Sequence, residues 1–209
     1  MTGLSLALAD SVVSIADHRL VTSWPWYVVR GAGFVAAGLI VLLMLSGIGQ
    51  VTGLTYRFFE PVKAWAIHKA LAYALLAAIA VHVIFLLIDK FLPFSLIQVL
   101  VPFASTYNNK TSLFGLSLGF FGVAFGILAA YGVIIVVASS LKWIDTRKKL
   151  WRQTHYVSYA VAALVFLHAL TVGTDVRYGV FRLGWLFLGF IIMVAVVMRL
   201  WRAKTLVKD

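Results

Sequence analysis

The sequence contains no cysteine, which excludes disulfides, thiolate metal sites, iron–sulfur clusters and haem attached through a C-x-x-C-H motif. Charge is also scarce, because only 12% of the 209 residues are charged, against about 25% in soluble domains. With 63% hydrophobic residues, the chain is predicted to be an integral membrane protein whose partner is the lipid bilayer. The net charge of +11 is therefore interpreted as a signal of membrane topology and not of nucleic-acid binding.

Five segments are long and apolar enough to cross a bilayer, which takes about 20 residues per helix. The predicted fold class is thus an all-α integral membrane bundle in a single domain, residues 1–209. The five predicted spans are residues 26–49, 61–88, 111–140, 151–173 and 181–201. Residues 1–23 are predicted to form a short interfacial helix or a partly ordered tail. Residues 91–105 are apolar but short and interrupted by Pro93 and Pro102, which predicts a re-entrant or interfacial segment.

Basic residues are distributed unevenly between the two sides of this bundle. Two thirds of them lie on the side of the C-terminus, mainly in the clusters at 142–152 and 199–208. The positive-inside rule then predicts a multi-pass protein with its C-terminus in the cytoplasm and its N-terminus outside.

Four of the five histidines lie inside predicted spans, where imidazole is costly and indicates a functional site. His68 and His82 are fourteen positions apart on the second span, and His155 and His168 are thirteen apart on the fourth. At about 1.5 Å per residue these separations are about 21 Å and 20 Å, and the two spans run in the same direction. The histidines therefore form an inner level, His68 with His155, and an outer level, His82 with His168.

Two opposed imidazoles are the axial ligands that a six-coordinate haem iron needs, and bundle cores are where helical proteins hold cofactors. The four histidines are therefore predicted to bind the iron of two haems b. The thirteen-residue spacing fits less well, because it leaves two side chains about 140° apart around an ideal helix. The fourth span must twist, bend or tighten, or the two haems must be rotated relative to each other. The alternatives are a proton relay or another metal site, although no Asp or Glu within the spans completes a metal ligand set.

Haem propionates are anionic, so basic residues near the membrane faces are candidate cofactor-binding residues. Arg30 is the first candidate, because it lies just inside an apolar run, where an unpaired charge is costly. The other candidates are Arg177, Arg182 and Lys110 on the outer side, and Lys63, Lys69 and Arg152 on the inner side. The alternative for each is a role in topology or contact with lipid headgroups.

Other residues near the histidines have simpler interpretations. Tyr73, Tyr156 and Tyr159 are interpreted as aromatic packing residues of the bundle. The glycines of the first span permit close approach either by a macrocycle or by another helix. His18, in the N-terminal segment, is interpreted as a surface residue.

The two histidine pairs lie in the segments WAIHKALAYALLAAIAVHVIFLLID and LWRQTHYVSYAVAALVFLHALTVGTDV. Over residues 26–201 the chain resembles the ferric reductase-like transmembrane domain. This domain is shared by ferric reductases, NADPH oxidases and the haem-binding membrane subunit of a bacterial methionine-sulfoxide reductase system, and the chain is similar in particular to its short bacterial versions. The resemblance implies an inner haem on His68 and His155, an outer haem on His82 and His168, and a bacterial cytoplasmic (inner) membrane location. It also implies electron flow outward from the cytoplasm.

The leading interpretation is transmembrane electron transfer through two bis-histidine haems b, which would make the chain an oxidoreductase component. No Gly-rich phosphate-binding motif occurs and only about eight residues follow Trp201, so a flavin and NADPH domain is not expected. The donor is then expected to be a partner protein, a quinol or a separately bound flavin or quinone, and the acceptor a redox partner on the outer side. The alternatives are a non-catalytic membrane subunit that feeds a partner reductase, and a non-redox haem sensor or carrier.

Overall fold

The computed structural model describes residues 2–107, 112–113 and 116–205. Within these residues, five helical stretches are long and apolar enough to cross a membrane, which confirms the predicted all-α membrane bundle. The helices are α1 (Thr2–Thr52), α2 (Pro61–Ile88), α3 (Leu96–Leu100), α4 (Leu118–Trp143), α5 (Lys148–His155), α6 (Val157–Val172) and α7 (Gly179–Thr205). Two short 3-10 helices, Thr55–Arg57 and Asp175–Arg177, lie in connecting segments.

The first helix is longer than predicted. The N-terminal segment is helical, but it continues through Pro25 into the first span, Ser23–Thr52, and is not a separate interfacial helix. A proline inside a helix removes one hydrogen bond, which membrane helices tolerate more readily than short soluble ones. The helix ends where Gly53 adopts a positive φ of 78°, the backbone conformation that commonly terminates helices.

The second helix has the predicted bounds, because Pro61 occupies the first turn, where its missing N–H costs no hydrogen bond. Beyond it, the predicted re-entrant or interfacial segment contains α3, which packs against α2 and α4 without crossing the membrane. A capping box between Ser95 and Gln98 starts this short helix. At its other end the Tyr131 hydroxyl on α4 donates to the Leu100 carbonyl at 2.5 Å.

The third span starts later than predicted, at Leu118 instead of residue 111. Before it, two short antiparallel strands, β1 (Ser112–Leu113) and β2 (Leu116–Ser117), pair with Ser112 opposite Ser117. These four residues thus pair as antiparallel strands, and α4 begins immediately after β2.

The fourth span, Lys148–Val172, consists of two helices that are interrupted at Tyr156. There the Tyr159 N–H donates to the Tyr156 carbonyl, three residues back, at 3.2 Å. Such a tight turn advances about 120° per residue, against about 100° in an α-helix. The extra rotation moves His168 closer to the face that carries His155. A local tightening, one of the predicted ways to accommodate the thirteen-residue spacing, is therefore present in this span.

Candidate paired-histidine site

The structure brings together the imidazole rings that the sequence pairs. The ring centroids of His68 and His155 are 6.3 Å apart, and those of His82 and His168 are 6.4 Å apart. Since a metal–imidazole bond is about 2 Å long, an ion between two opposed rings separates their centroids by about 6 Å. Both separations therefore fit one metal ion held between two imidazoles.

The outer histidines are fixed by backbone carbonyls of neighbouring helices. His82 Nδ1 lies 2.9 Å from the Val29 carbonyl on α1, and His168 Nδ1 lies 2.8 Å from the Gly122 carbonyl on α4. Because a carbonyl only accepts, both Nδ1 atoms must carry the proton and donate it. Both Nε2 atoms then keep a free lone pair, as a metal ligand needs.

The inner histidines are fixed by serine hydroxyls instead. His68 Nδ1 lies 2.8 Å from Ser46 Oγ, and the Ser46 hydroxyl donates its own hydrogen to the Leu43 carbonyl at 3.0 Å. His155 Nδ1 lies 3.4 Å from Ser140 Oγ, which donates to the Val136 carbonyl at 2.8 Å. Since both hydroxyl hydrogens are already used, each oxygen accepts from the imidazole Nδ1–H. All four histidines therefore take the same tautomer.

We expect Ser46→Ala to weaken retention of a metal cofactor at the inner level by about tenfold or more, because partners of this kind orient the ligand ring and raise its basicity. Cofactor content after dilution and washing of the purified protein measures this loss. Ser139→Ala is the matched control, since this buried hydroxyl donates only to the Val136 carbonyl. Equal retention in the two variants would contradict the assigned role of Ser46.

Glycines make room for three of the four rings. A Cβ atom on Gly33 would lie 3.3 Å from His82, one on Gly47 would lie 3.3 Å from His68, and one on Gly126 only 2.6 Å from His168. Gly33 and Gly47 on α1 are fourteen positions apart, as are His68 and His82 on α2. The glycine face of α1 thus packs against the histidine face of α2, and Gly126 on α4 packs against His168 on α6.

An apolar layer separates the inner and outer levels. It is a buried cluster of Ile40, Leu75, Ala129, Val133 and Val161. Leu75 lies seven positions from each histidine of α2, and Ile40 lies seven positions from Gly33 and from Gly47 on α1. The layer therefore lies midway between the levels.

A cavity of about 660 Å³ adjoins the inner pair and is lined by both His68 and His155. This volume lies in the range of about 300–1,000 Å³ that is usual for cofactor sites. Two of the predicted basic residues, Lys69 and Arg152, line the cavity. Lys63 does not, and its ammonium group instead lies 3.3 Å from the Glu60 carboxylate at the exposed start of α2.

Arg30, the first candidate on the outer side, forms an ion pair with Asp175, a partner that was not predicted. Its Nε donates to Asp175 Oδ2 at 2.8 Å, and its Nη2 donates to Asp175 Oδ1. The pair ties α1 to the 3-10 helix before α7. Arg182 is exposed in the first turns of α7. Two other outer candidates, the Arg177 side chain and Lys110, lie outside the described parts of the chain.

Hydrogen bonding from Arg30 lowers the pKa of the Asp175 carboxyl below its usual value. A carboxyl with a depressed pKa stabilises the folded state above its unfolded pKa of about 3.9, and the contribution is lost as the pH falls through the folded value. We expect Asp175→Asn to lower the free energy of unfolding by about 0.5–1 kcal/mol, because both side chains are partly exposed. Thermal unfolding measured from pH 7 to pH 3 should show a difference in melting temperature between the wild type and Asp175→Asn. This difference should be constant above about pH 5 and should shrink in acid. A difference that grows in acid would contradict this role.

The donor set distinguishes a bare metal ion from a haem. Within the described residues, no group of three or more His, Cys, Asp or Glu side chains is placed to hold a metal ion. Each level thus offers two imidazoles, which are too few for a typical structural or catalytic metal ion. A haem brings four equatorial nitrogens of its own and needs only two axial ligands, so the residues fit this cofactor.

Residues 32–167 match the family model of the ferric reductase like transmembrane component. The matched range includes His68, His82 and His155, and it ends one residue before His168. No curated protein and no solved structure matches the chain. Domains of this kind generally bind haem and take part in transmembrane electron transfer. Because the match covers more than half of its length, the chain belongs to the family of ferric reductase-like transmembrane components.

Proposed function

We propose that the protein carries electrons across the membrane through two haems b. His68 and His155 would ligate the inner haem, and His82 and His168 the outer haem. The observation that carries this proposal is the state of the four rings. They form two pairs with centroids 6.3 Å and 6.4 Å apart, and each has its Nδ1 engaged and its Nε2 available.

When bound, each haem would supply a one-electron carrier, held by one of the two histidine pairs. The residues of the chain orient the ligands. The Val29 and Gly122 carbonyls hold the outer ligands, and Ser46 and Ser140 hold the inner ones. The outer level, held by His82 and His168, would be the one from which an acceptor on the outer side takes its electron.

The orientation of the chain is inferred from the distribution of charge, and outward electron flow is what the resemblance to the ferric reductase-like family implies. The basic side of the bundle, which includes the C-terminus, would face the cytoplasm of a bacterium, with the N-terminus outside the inner membrane. A cytoplasmic partner protein, a quinol or a separately bound flavin would reduce the inner haem. A redox acceptor on the outer side would oxidise the outer haem. Lys69 and Arg152 would bind propionates on the inner side, and Arg177 and Arg182 would bind them on the outer side. Arg30 would join the outer set only through the donors that its pair with Asp175 leaves unused.

Haem stoichiometry is the direct test. A pyridine haemochrome assay on the purified chain, with a reduced-minus-oxidised spectrum, should give two b-type haems per chain, both low-spin. One haem per chain would remove the relay between the two levels. No haem, in protein produced with an adequate haem supply, would overturn the proposal and leave the histidines with a proton-transfer or packing role.

A further inference from the structure

Arg199 on α7 is a charged residue at the wall of the inner cavity, within the last predicted span. It lines the cavity together with His155. Its guanidinium carbon lies 5.4 Å and 5.3 Å from the ring centroids of Tyr156 and Tyr159. The two tyrosine rings are themselves stacked, with centroids 6.3 Å apart. Arg199 lies beyond the range that matches the family model.

The charge of Arg199 is not balanced by the described residues. Two carboxylates of the described residues are already paired elsewhere, Asp175 with Arg30 and Glu60 with Lys63. Asp145 also lines the cavity but makes no such pair with Arg199 in the described structure. Lys69 and Arg152 add two further cations to the same wall. The wall thus carries three Arg and Lys side chains against the single carboxylate of Asp145. Arg199 is only partly exposed near the end of the last span, where an anionic partner would stabilise its charge.

We propose that Arg199 binds a propionate carboxylate of the inner haem, an inference that rests on the proposed function. A guanidinium presents a planar fork of donors that matches a carboxylate, and it stacks well on aromatic faces. Tyr156 and Tyr159 would hold the guanidinium in place while its N–H groups point to the ligand. The positive charge also favours the reduced iron, which carries one positive charge fewer. Arg199 would therefore raise the reduction potential of the inner haem above the value that ligation alone would set.

Arg199→Gln tests this inference by redox titration of the purified protein. The inner haem, identified as the component missing from His155→Ala, should become harder to reduce by about tenfold in its equilibrium constant, which is about 59 mV for one electron. Its potential should also become pH-dependent near neutrality, because a propionate without its counter-charge takes up a proton more readily. Arg199→Lys should give a smaller shift, since it keeps the charge. Arg147→Gln, an exposed site outside the cavity, should shift neither haem.

A second experiment identifies the anion by changing the haem. In the chain reconstituted with haem dimethyl ester, whose propionates cannot ionise, Arg199→Gln should no longer make the inner potential pH-dependent, because no propionate carboxyl remains to take up a proton. An unchanged inner potential in Arg199→Gln with both haems retained would overturn the inference. So would a shift that persists with the ester and follows the anionic lipid content of the nanodisc, because the bound anion would then be a headgroup phosphate. A wild-type chain without haem would instead refute the proposed function.

Discussion

Replacing His168 by alanine is expected to halve the haem content and to reduce transmembrane electron transfer to background. The outer haem would lose one of its two axial ligands, whereas His68 and His155 are held by different partners, Ser46 and Ser140. The remaining haem would be on the inner side, about 20 Å from the vacated level. Haem content per chain measures the first effect, and reduction of an external acceptor by proteoliposomes with an internal donor measures the second.

The appropriate control is His18→Ala, because the sequence places this fifth histidine outside the spans. It should keep two haems and full activity. If His168→Ala keeps both haems with low-spin spectra, then another residue is the ligand, and the pairing of His82 with His168 has no role in binding. Loss of both haems would mean that the two levels do not load independently.

Gly126→Ala is expected to remove the outer haem almost as completely as the loss of His168 itself. The added Cβ atom would lie 2.6 Å from both Cε1 and Nδ1 of His168, closer than atoms can approach. Because the obstacle is a side chain and not backbone, the ring can turn away and the protein can still fold. Turning it breaks the hydrogen bond to the Gly122 carbonyl and misdirects Nε2. Haem content and the low-spin EPR signals report the effect.

Glycines of α1 provide a graded comparison for this prediction. Gly38→Ala adds a Cβ with nothing within 4 Å, so it should keep both haems, and alanine is the better helix former by about 1 kcal/mol. Gly33→Ala, at 3.3 Å from His82, should give an intermediate disturbance of the outer haem. If Gly126→Ala and Gly38→Ala retain haem equally, steric support of the His168 ring does not contribute to binding.

The levels of the histidines could be predicted from sequence because depth in a membrane helix depends only on position along the chain. His68 with His155, and His82 with His168, follow from the rise per residue and from the direction of the two spans. The start of α2 could be predicted for a similar reason, since a proline such as Pro61 favours the first turn of a helix. These are properties of one helix at a time.

The partners of the histidines could not be predicted, because they depend on how neighbouring helices are rotated about their axes. Nothing in the sequence distinguishes Ser46 and Ser140 from other serines of membrane helices, but in the structure each hydroxyl lies beside an imidazole. One signal was present in the sequence, because the fourteen-residue step between the histidines of α2 recurs between Gly33 and Gly47 on α1. A matched step on an adjacent helix indicates a shared face.

Two departures from ideal helices were also beyond sequence reasoning. Pro25 favours a helix boundary, yet α1 continues through it. The tight turn at Tyr156 was one of several ways to accommodate the thirteen-residue spacing, and periodicity alone does not choose among them. Asp175, the partner of Arg30, lies in a connection whose path is set by the helices on either side.

The pairing of helices has a consequence for biogenesis. α1 packs along α2, and α4 packs along the fourth span, which consists of α5 and α6; the contacts between these two pairs of spans are far less extensive. Each pair is therefore a helical hairpin that can enter the membrane during translation as a self-contained unit. The histidines of every level come from different hairpins, His68 and His82 from the first and His155 and His168 from the second. Cofactor insertion would thus be the last step of maturation, because each bound cofactor would link two pairs of helices that had already formed.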